Sequence, residues 1–292
     1  MESSASGLAF IGFGEAAMAF ATGLDGAVAY DRKTDTNLTR TAKHADYARC
    51  AVRGAARNAE AVAEARLILS LVTADQAVAA ARETASSIAP GALFCDMNSV
   101  APDTKRAAAT AIEAGGGRYV DVAVMAPVDP QRRGVPLLVA GPHAAAGLAA
   151  LREAGFGNIR VAGPRLGDAS AIKMVRSVMI KGIEALTAEC LLAAEAAGVR
   201  DAVIASLDAS WPGADWTARA DYNLDRMMRH GLRRAEEMAE AVKTLDALGT
   251  GSAMTRGTIE RQRAIGRLGI APPATLTDKI AAVLGARKDQ AA

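Results

Sequence analysis

Residues 11–17 read Ile-Gly-Phe-Gly-Glu-Ala-Ala, directly after the apolar Leu8-Ala9-Phe10. A strand-like run leading into Gly-x-Gly-x-x-Gly/Ala and then a helical run assigns each small residue a task. Gly12 would make the tight turn, Gly14 would let backbone approach a pyrophosphate, and Ala17 would let the helix pack against the strand. The loop and helix start from Phe13 through Glu15 and Ala16 would turn N–H groups toward phosphate oxygens. Glycine and alanine are common throughout the chain, so the turn alone is a weak signal. A structural glycine turn that binds nothing is the competing reading.

The next apolar run, Ala27–Tyr30, ends beside Asp31, 17 residues past Gly14. A carboxylate at that position suits the hydroxyls of an adenosine ribose and strengthens the dinucleotide reading. Arg32 and Lys33 follow at once and would attract a 2′-phosphate. The cofactor is therefore NAD or NADP, with a slight preference for NAD.

Outward from this point, short apolar runs alternate with alanine-rich helical ones. Strand-like runs are expected at Leu8–Ile11, Ala27–Tyr30, Leu67–Val72, Ala92–Asp96, Tyr119–Met125, Leu137–Ala140 and Asn158–Val161. Helical runs are expected at Glu15–Thr22, Thr73–Ala89, Pro102–Ala114 and Ala144–Ala154. Such alternation calls for a mostly parallel sheet covered on both faces. Past residue 167 the texture changes to long amphipathic stretches: Ala169–Gly198, Asp201–Leu207, Asp215–His230, Leu232–Leu248, Thr255–Arg267 and Thr277–Gly285. The expected architecture is an α/β Rossmann-type N-terminal domain (1–165) followed by an all-α C-terminal domain (166–292), joined by a long interdomain helix.

Composition narrows the function classes. Thirty-four basic against 32 acidic residues and 4% aromatics argue against nucleic-acid binding. Three histidines without His-Glu-x-x-His spacing offer no support for a metal site. The cysteines, Cys50, Cys95 and Cys190, cannot build a disulfide framework, and Cys95 and Cys190 read as buried thiols. Residues 1–7 do not read as a signal peptide, and no uncharged run is long enough to span a bilayer. A cytoplasmic location is expected.

Carboxyl ends of strands are where open α/β sheets hold ligands. Leu71, Val72 and Thr73 would border the nicotinamide side of a cleft. Asn98 and Ser99, just past another strand end, suit ligand contact or capping of the Pro102 helix. Near the start of the long helix, steps of four align Lys173, Ser177 and Lys181 on one face, and Glu184 continues it. That face lines either a cleft or solvent. Trp211 reads as a packing anchor, with Asp215, Tyr222 and His230 as further candidates for a pocket.

Four segments together resemble the β-hydroxyacid dehydrogenase superfamily, which includes 3-hydroxyisobutyrate and 6-phosphogluconate dehydrogenases. They are Gly-Phe-Gly-Glu-Ala-Ala, Asp96-Met-Asn-Ser-Val-Ala-Pro102, Tyr119-Val-Asp-Val-Ala-Val-Met-Ala-Pro127 with the later Gly-Val-Pro-Leu-Leu-Val-Ala-Gly, and Gly167-Asp-Ala-Ser-Ala-Ile-Lys-Met-Val-Arg-Ser177. The likeness extends to a poorly characterised branch with a phosphogluconate-dehydrogenase-like helical C-terminal domain. It implies hydride transfer between a nicotinamide cofactor and a small, anionic 3-hydroxy acid, with Lys173 as the catalytic proton carrier, its pKa lowered by desolvation or by neighbouring Lys181. Substrate contacts would come from Asn98, Ser99, Val124, Met125, Ala126, Ser177 and Lys181, and the protein would be a homodimer. Imine reductases share the architecture but usually lack a residue matching Lys173. A non-catalytic dinucleotide sensor is the reading from a different class. Two departures stand out. The usual Asp-Ala-Pro-Val-Ser-Gly-Gly is Asp121-Val-Ala-Val-Met-Ala-Pro127 here, and Ser177 stands where an asparagine is usual.

Overall fold

The computed structural model describes residues 7–291, with side chains described as far as residue 286. The stretch that reads as no leader peptide lies largely outside the described residues. In chain order the first elements are β1 (Leu8–Ile11), α1 (Glu15–Ala21), β2 (Val28–Tyr30), α2 (Asn37–Arg49), β3 (Arg53–Gly54), α3 (Asn58–Val62), β4 (Leu67–Ser70) and α4 (Ala77–Ala85). Then follow β5 (Leu93–Asp96), α5 (Pro102–Ala114), β6 (Arg118–Val124), β7 (Leu137–Ala140), α6 (Ala144–Glu153) and β8 (Ile159–Gly163). Five helices complete the chain: α7 (Asp168–Ala196), α8 (Arg200–Ser210), α9 (Trp216–Ala247), α10 (Ala253–Gly266) and α11 (Leu276–Ala291). The expected two-part architecture is present, an α/β region and an all-α region linked by the long helix α7.

The eight strands form one sheet in the order β3-β2-β1-β4-β5-β6-β7-β8, parallel throughout except where β7 runs antiparallel to β6. Why the strands read as unbroken apolar runs is visible in their packing. Successive residues point to opposite faces, and both faces are covered. Phe10, Leu69, Cys95 and Val120 pack in one core with Ala17 and Phe20 of α1 and Leu151 of α6. Ile11, Ile68, Phe94 and Tyr119 pack in the other with Val62 of α3, Ala81 of α4 and Ile112 of α5. The chain builds outward from β1 to β3, then returns across β1 to β4. That reversal leaves a crevice at the carboxyl ends of β1 and β4.

By its internal contacts the chain divides within α7, into a unit ending at Met174 and one beginning at Val175. The first turns of α7 belong to the sheet because Ala169 packs with Ala123, Leu138 and Ala140, and Ser170 is bonded to Asp121. In the helical unit, Leu191, Leu192, Leu224, Met227, Ile265, Ile280 and Val283 form a core. The stretches expected at 215–230 and 232–248 are one helix, α9. Gly231 does not break it. A Cβ there would lie 2.4 Å from the Gln262 carbonyl oxygen and 2.9 Å from Gly266, so the glycine serves the close approach of α9 to α10. Three elements, α2, the two-residue β3 and the five-residue α3, carry no clear periodic signal and were not expected. Cys190 is exposed, contrary to its reading as a buried thiol, and all three cysteines are unpaired. Among the described residues no helix is long and apolar enough to cross a membrane, and no cluster of metal-ligating side chains occurs.

Candidate functional site

The glycine turn has the form its sequence calls for. Gly12 adopts φ +83°, and a Cβ on it would lie 2.5 Å from the Leu71 carbonyl oxygen. Only glycine fits a left-handed backbone pressed so closely against the next strand end. Gly14 is different. Its backbone is extended (φ −91°, ψ −165°), open to any residue, and a Cβ on it would meet nothing within 4 Å. Neither conformation nor protein packing requires glycine at 14. What it keeps clear is the space over the start of α1, where Gly14 as N-cap has no side chain to bond the first amides. Ala17 is fully buried in the core beneath. The cradle leaves room for a pyrophosphate, for which the amides of Glu15 and Ala16 at the helix start are the candidate donors.

Asp31 is pre-oriented beside it. Its Oδ2 accepts from the Phe13 amide at 2.8 Å and its Oδ1 from the Lys33 amide at 2.9 Å. Each carboxylate oxygen keeps acceptor capacity for a ribose hydroxyl. The Phe13 amide is committed to Asp31, and its ring is buried against Phe10 and Tyr47. Arg32 donates to the Gln76 side chain, which draws this cation toward the loop after β4. Leu71 and Val72 line the opposite lip half-buried, and Thr73 is exposed.

Asn98 is buried and serves as a clamp between strand ends. Its Oδ1 accepts from the Val72 amide at 2.7 Å, and its Nδ2 donates to Ser70 Oγ at 3.0 Å. Neither Asn98 nor Ser99 caps α5, whose N-cap is Ala101 with Pro102 opening the helix. Ser99 is engaged elsewhere: Lys173 Nζ, half-buried, donates to Ser99 Oγ at 2.5 Å. Residues 74 apart in sequence thus meet at the carboxyl end of β5.

Beneath that pair lies a charged cluster that sequence reasoning missed. Lys105 of α5 is wholly buried and lies 3.1 Å from Asp96 Oδ1 and 3.4 Å from Asp121 Oδ1, both also buried. Asp96 Oδ1 accepts the Asn98 amide, and its Oδ2 accepts the Tyr119 hydroxyl at 2.6 Å. Burial first, then the charge of Asp96, pushes the Tyr119 phenol well above its ordinary value, so it stays a donor. Asp121 Oδ2 accepts the Ser170 amide at 3.0 Å. One cluster therefore anchors the segment carrying Ser99 and the turn carrying Lys173. The available hint was that Asp96 and Asp121 interrupt otherwise apolar strands; Lys105, next to Arg106 in an alanine-rich helix, reads as solvated.

Val124 ends β6 buried, and Met125 and Ala126 follow half-buried. The Met125 amide bonds the Pro136 carbonyl, and its side chain packs beside Ala123 and Leu138. In the helical unit, Ser177 and Lys181 are buried and joined at 3.3 Å, and Lys181 is paired with Glu237 at 2.9 Å. Glu184, continuing that face, is bound by Arg234 and Gln262. Trp211 is 57% exposed, packs edge-on against Trp216 with ring centroids 5.7 Å apart, and lines an apolar pocket with Ile183, Leu186, Cys190, Leu207 and Trp216.

Residues 6–151 match the family described as the NAD binding domain of 6-phosphogluconate dehydrogenase. The chain belongs to this family. Residues 194–265 of this member match a second family, described as a domain of unknown function (DUF1932). No curated protein matches the sequence. Among solved structures, a conserved hypothetical protein from Sinorhizobium meliloti 1021 is 38% identical, with 98% of each chain covered and a TM-score of 0.76. Conserved protein MTH1747, described as structurally similar to 3-hydroxyacid dehydrogenases, is 28% identical over 94% of this chain and 98% of that one, with a TM-score of 0.69. The 3-hydroxyisobutyrate dehydrogenase of Mycobacterium tuberculosis, solved with L-serine, is 16% identical over 94% of this chain and 98% of that one. Its TM-score of 0.73 is a likeness of fold. The superfamily resemblance drawn from the four sequence segments therefore holds, and this family member has the fold of NAD(P)-binding oxidoreductases.

Proposed function

We propose that the protein is an NAD(P)-dependent dehydrogenase or reductase acting on a small 3-hydroxy acid or the matching aldehyde or keto acid. The observation that carries this reading is the Lys173–Ser99 contact at the carboxyl end of β5. The dinucleotide, when bound, supplies the acceptor or donor of hydride. In the oxidising direction the substrate C–H pair leaves as hydride, and the O–H proton passes to Lys173 Nζ as the carbonyl forms. In reduction Lys173 returns that proton to the oxygen. Ser99 would orient the amine and share the substrate oxygen, while Asn98 holds the strand ends in register. A lysine so positioned combines a proton carrier with positive charge beside a developing oxyanion.

Asp31, oriented by two amides, favours the free ribose diol of NAD over the 2′-phosphate of NADP, and the engagement of Arg32 with Gln76 points the same way. Met125, Ala126 and Pro127 favour a substrate carboxylate held by fewer backbone amides than in the superfamily pattern, since proline has none. In the helical unit, Val175, Met179 and Leu186 of α7 are exposed apolar residues on one helical face. A second copy of the chain is the cover that this face supports. Three unpaired thiols suit a reducing, cytoplasmic setting.

The test is a titration with NADH and NADPH, followed by a panel of C3–C6 hydroxy and keto acids with absorbance read at 340 nm. Tighter NADH binding and an acid-dependent change are expected. A flat trace with cyclic imines active instead would move the assignment to imine reduction. Tight binding with no turnover of either class would make the protein a dinucleotide sensor. Sedimentation of a monomer at micromolar concentration would remove the dimer.

A further inference from the structure

Helix α2 carries a buried lysine that the hydride chemistry does not use. Lys43 is 6% exposed, and its Nζ donates to the Phe13 carbonyl oxygen at 2.6 Å and to Asp46 Oδ2 at 2.7 Å. One helical turn on, Tyr47 packs its ring on that of Phe13, with centroids 5.1 Å apart. The residue between the two glycines is thus gripped three ways: amide by Asp31, carbonyl by Lys43, ring by Tyr47.

The consequence falls on the next atom of the chain. In a trans peptide the C=O and the following N–H point in opposite directions. A carbonyl of Phe13 drawn inward to a buried ammonium turns the Gly14 N–H outward. That amide bonds no group among the described residues. The ammonium itself lies at most about 5 Å from the Gly14 nitrogen, by the bond lengths between them. We propose that Lys43 is a positioning residue of the dinucleotide site, orienting the Phe13–Gly14 peptide toward the pyrophosphate and placing a buried positive charge behind it. The proposal rests on the dinucleotide reading of the glycine turn.

Lys43→Met tests it cleanly, because Asp46 keeps its pairing with Arg49 at 2.8 Å and no carboxylate is stranded. The full chain is titrated with NADH by fluorescence, and NADH is then displaced by ADP and by adenosine. ADP carries a pyrophosphate; adenosine carries only the base and ribose. In the variant, NADH and ADP are expected to bind about tenfold more weakly, as loss of one charge-assisted contact implies, with adenosine within about twofold of wild type. Equal weakening of all three ligands would show a lysine that merely props the fold, and unchanged affinities would show one without influence; either overturns the proposal. Should Lys43→Met not fold, by circular dichroism, Lys43→Gln removes the charge with a polar side chain and is read in the same way. Failure of the wild-type protein to bind NADH or ADP would instead fall on the dinucleotide reading, and this proposal would go with it.

Discussion

The two ends of the crevice are built by different physics. At the carboxyl ends of β1 and β2, shape comes from backbone and from residues close in sequence: a left-handed Gly12, an open Gly14, and Asp31 bonded to amides at 13 and 33. At the ends of β5 and β6, shape comes from charges brought together out of three elements, with Lys105, Asp96 and Asp121 closed off from water. The first end tolerates no Cβ in one place and welcomes one in another. The second tolerates no loss of charge balance. A surface made of backbone is rigid and cheap to encode; a contact between distant side chains needs a scaffold that fixes both partners.

The largest effect should come from the proposed proton carrier. Lys173→Ala is expected to lower kcat by about 10²–10⁴-fold, as loss of a general acid–base does, with NADH affinity nearly unchanged in the same preparation. Retained turnover would take the proton-carrier role from Lys173. Next is the scaffold: Lys105→Met leaves Asp96 and Asp121 facing each other unpaired, and urea unfolding should report a loss of about 3–5 kcal/mol. A loss under about 1 kcal/mol, the range of an exposed pair, would mean that the cluster does not constrain this end of the sheet.

At the glycine end the contrast is within two residues. Gly12→Ala combines a positive φ with a Cβ driven into the Leu71 carbonyl, and should cost about 3 kcal/mol by adding conformational strain to overpacking. Gly14→Ala should change stability by less than about 0.5 kcal/mol, as a substitution with no protein neighbour does, yet weaken NADH binding measurably. Equal destabilisation by the two would erase the distinction between a glycine needed by the fold and one needed by a ligand. The smallest effect is chemical. Burial pushes the Cys95 thiol up to about 12, so at pH 8 it is protonated and unreactive. A thiol reagent should label Cys190 in the native protein and Cys95 only after unfolding; rapid native labelling of Cys95 by mass spectrometry would contradict its burial.

Much of the first end was legible beforehand because its determinants are local. A positive φ, a small residue under a helix and a carboxylate after a short strand each follow from residue type and spacing. Leu8–Ile11, Leu137–Ala140 and Pro102–Ala114 have the same bounds in sequence and structure, since apolar runs and a proline at a helix start mark themselves. Gly231 misled because a glycine that breaks a helix and one that lets two helices touch look alike until Gln262 and Gly266 are seen beside it. Cys190 misled for a related reason: apolar character predicts burial only when a partner surface exists.

From its sequence alone this protein is assigned a parallel α/β sheet, a glycine turn with its carboxylate, and a lysine near the start of a long helix, because period and steric need act over a few residues. Tertiary structure decided which lysine meets which hydroxyl. It set Lys173 on Ser99, sealed Lys105 between two aspartates, and turned Lys43 inward to hold a carbonyl 30 residues away. A lysine in a helical run has the same periodicity whether it faces water or a buried carboxylate, and only the packing of the neighbouring elements determines which it meets.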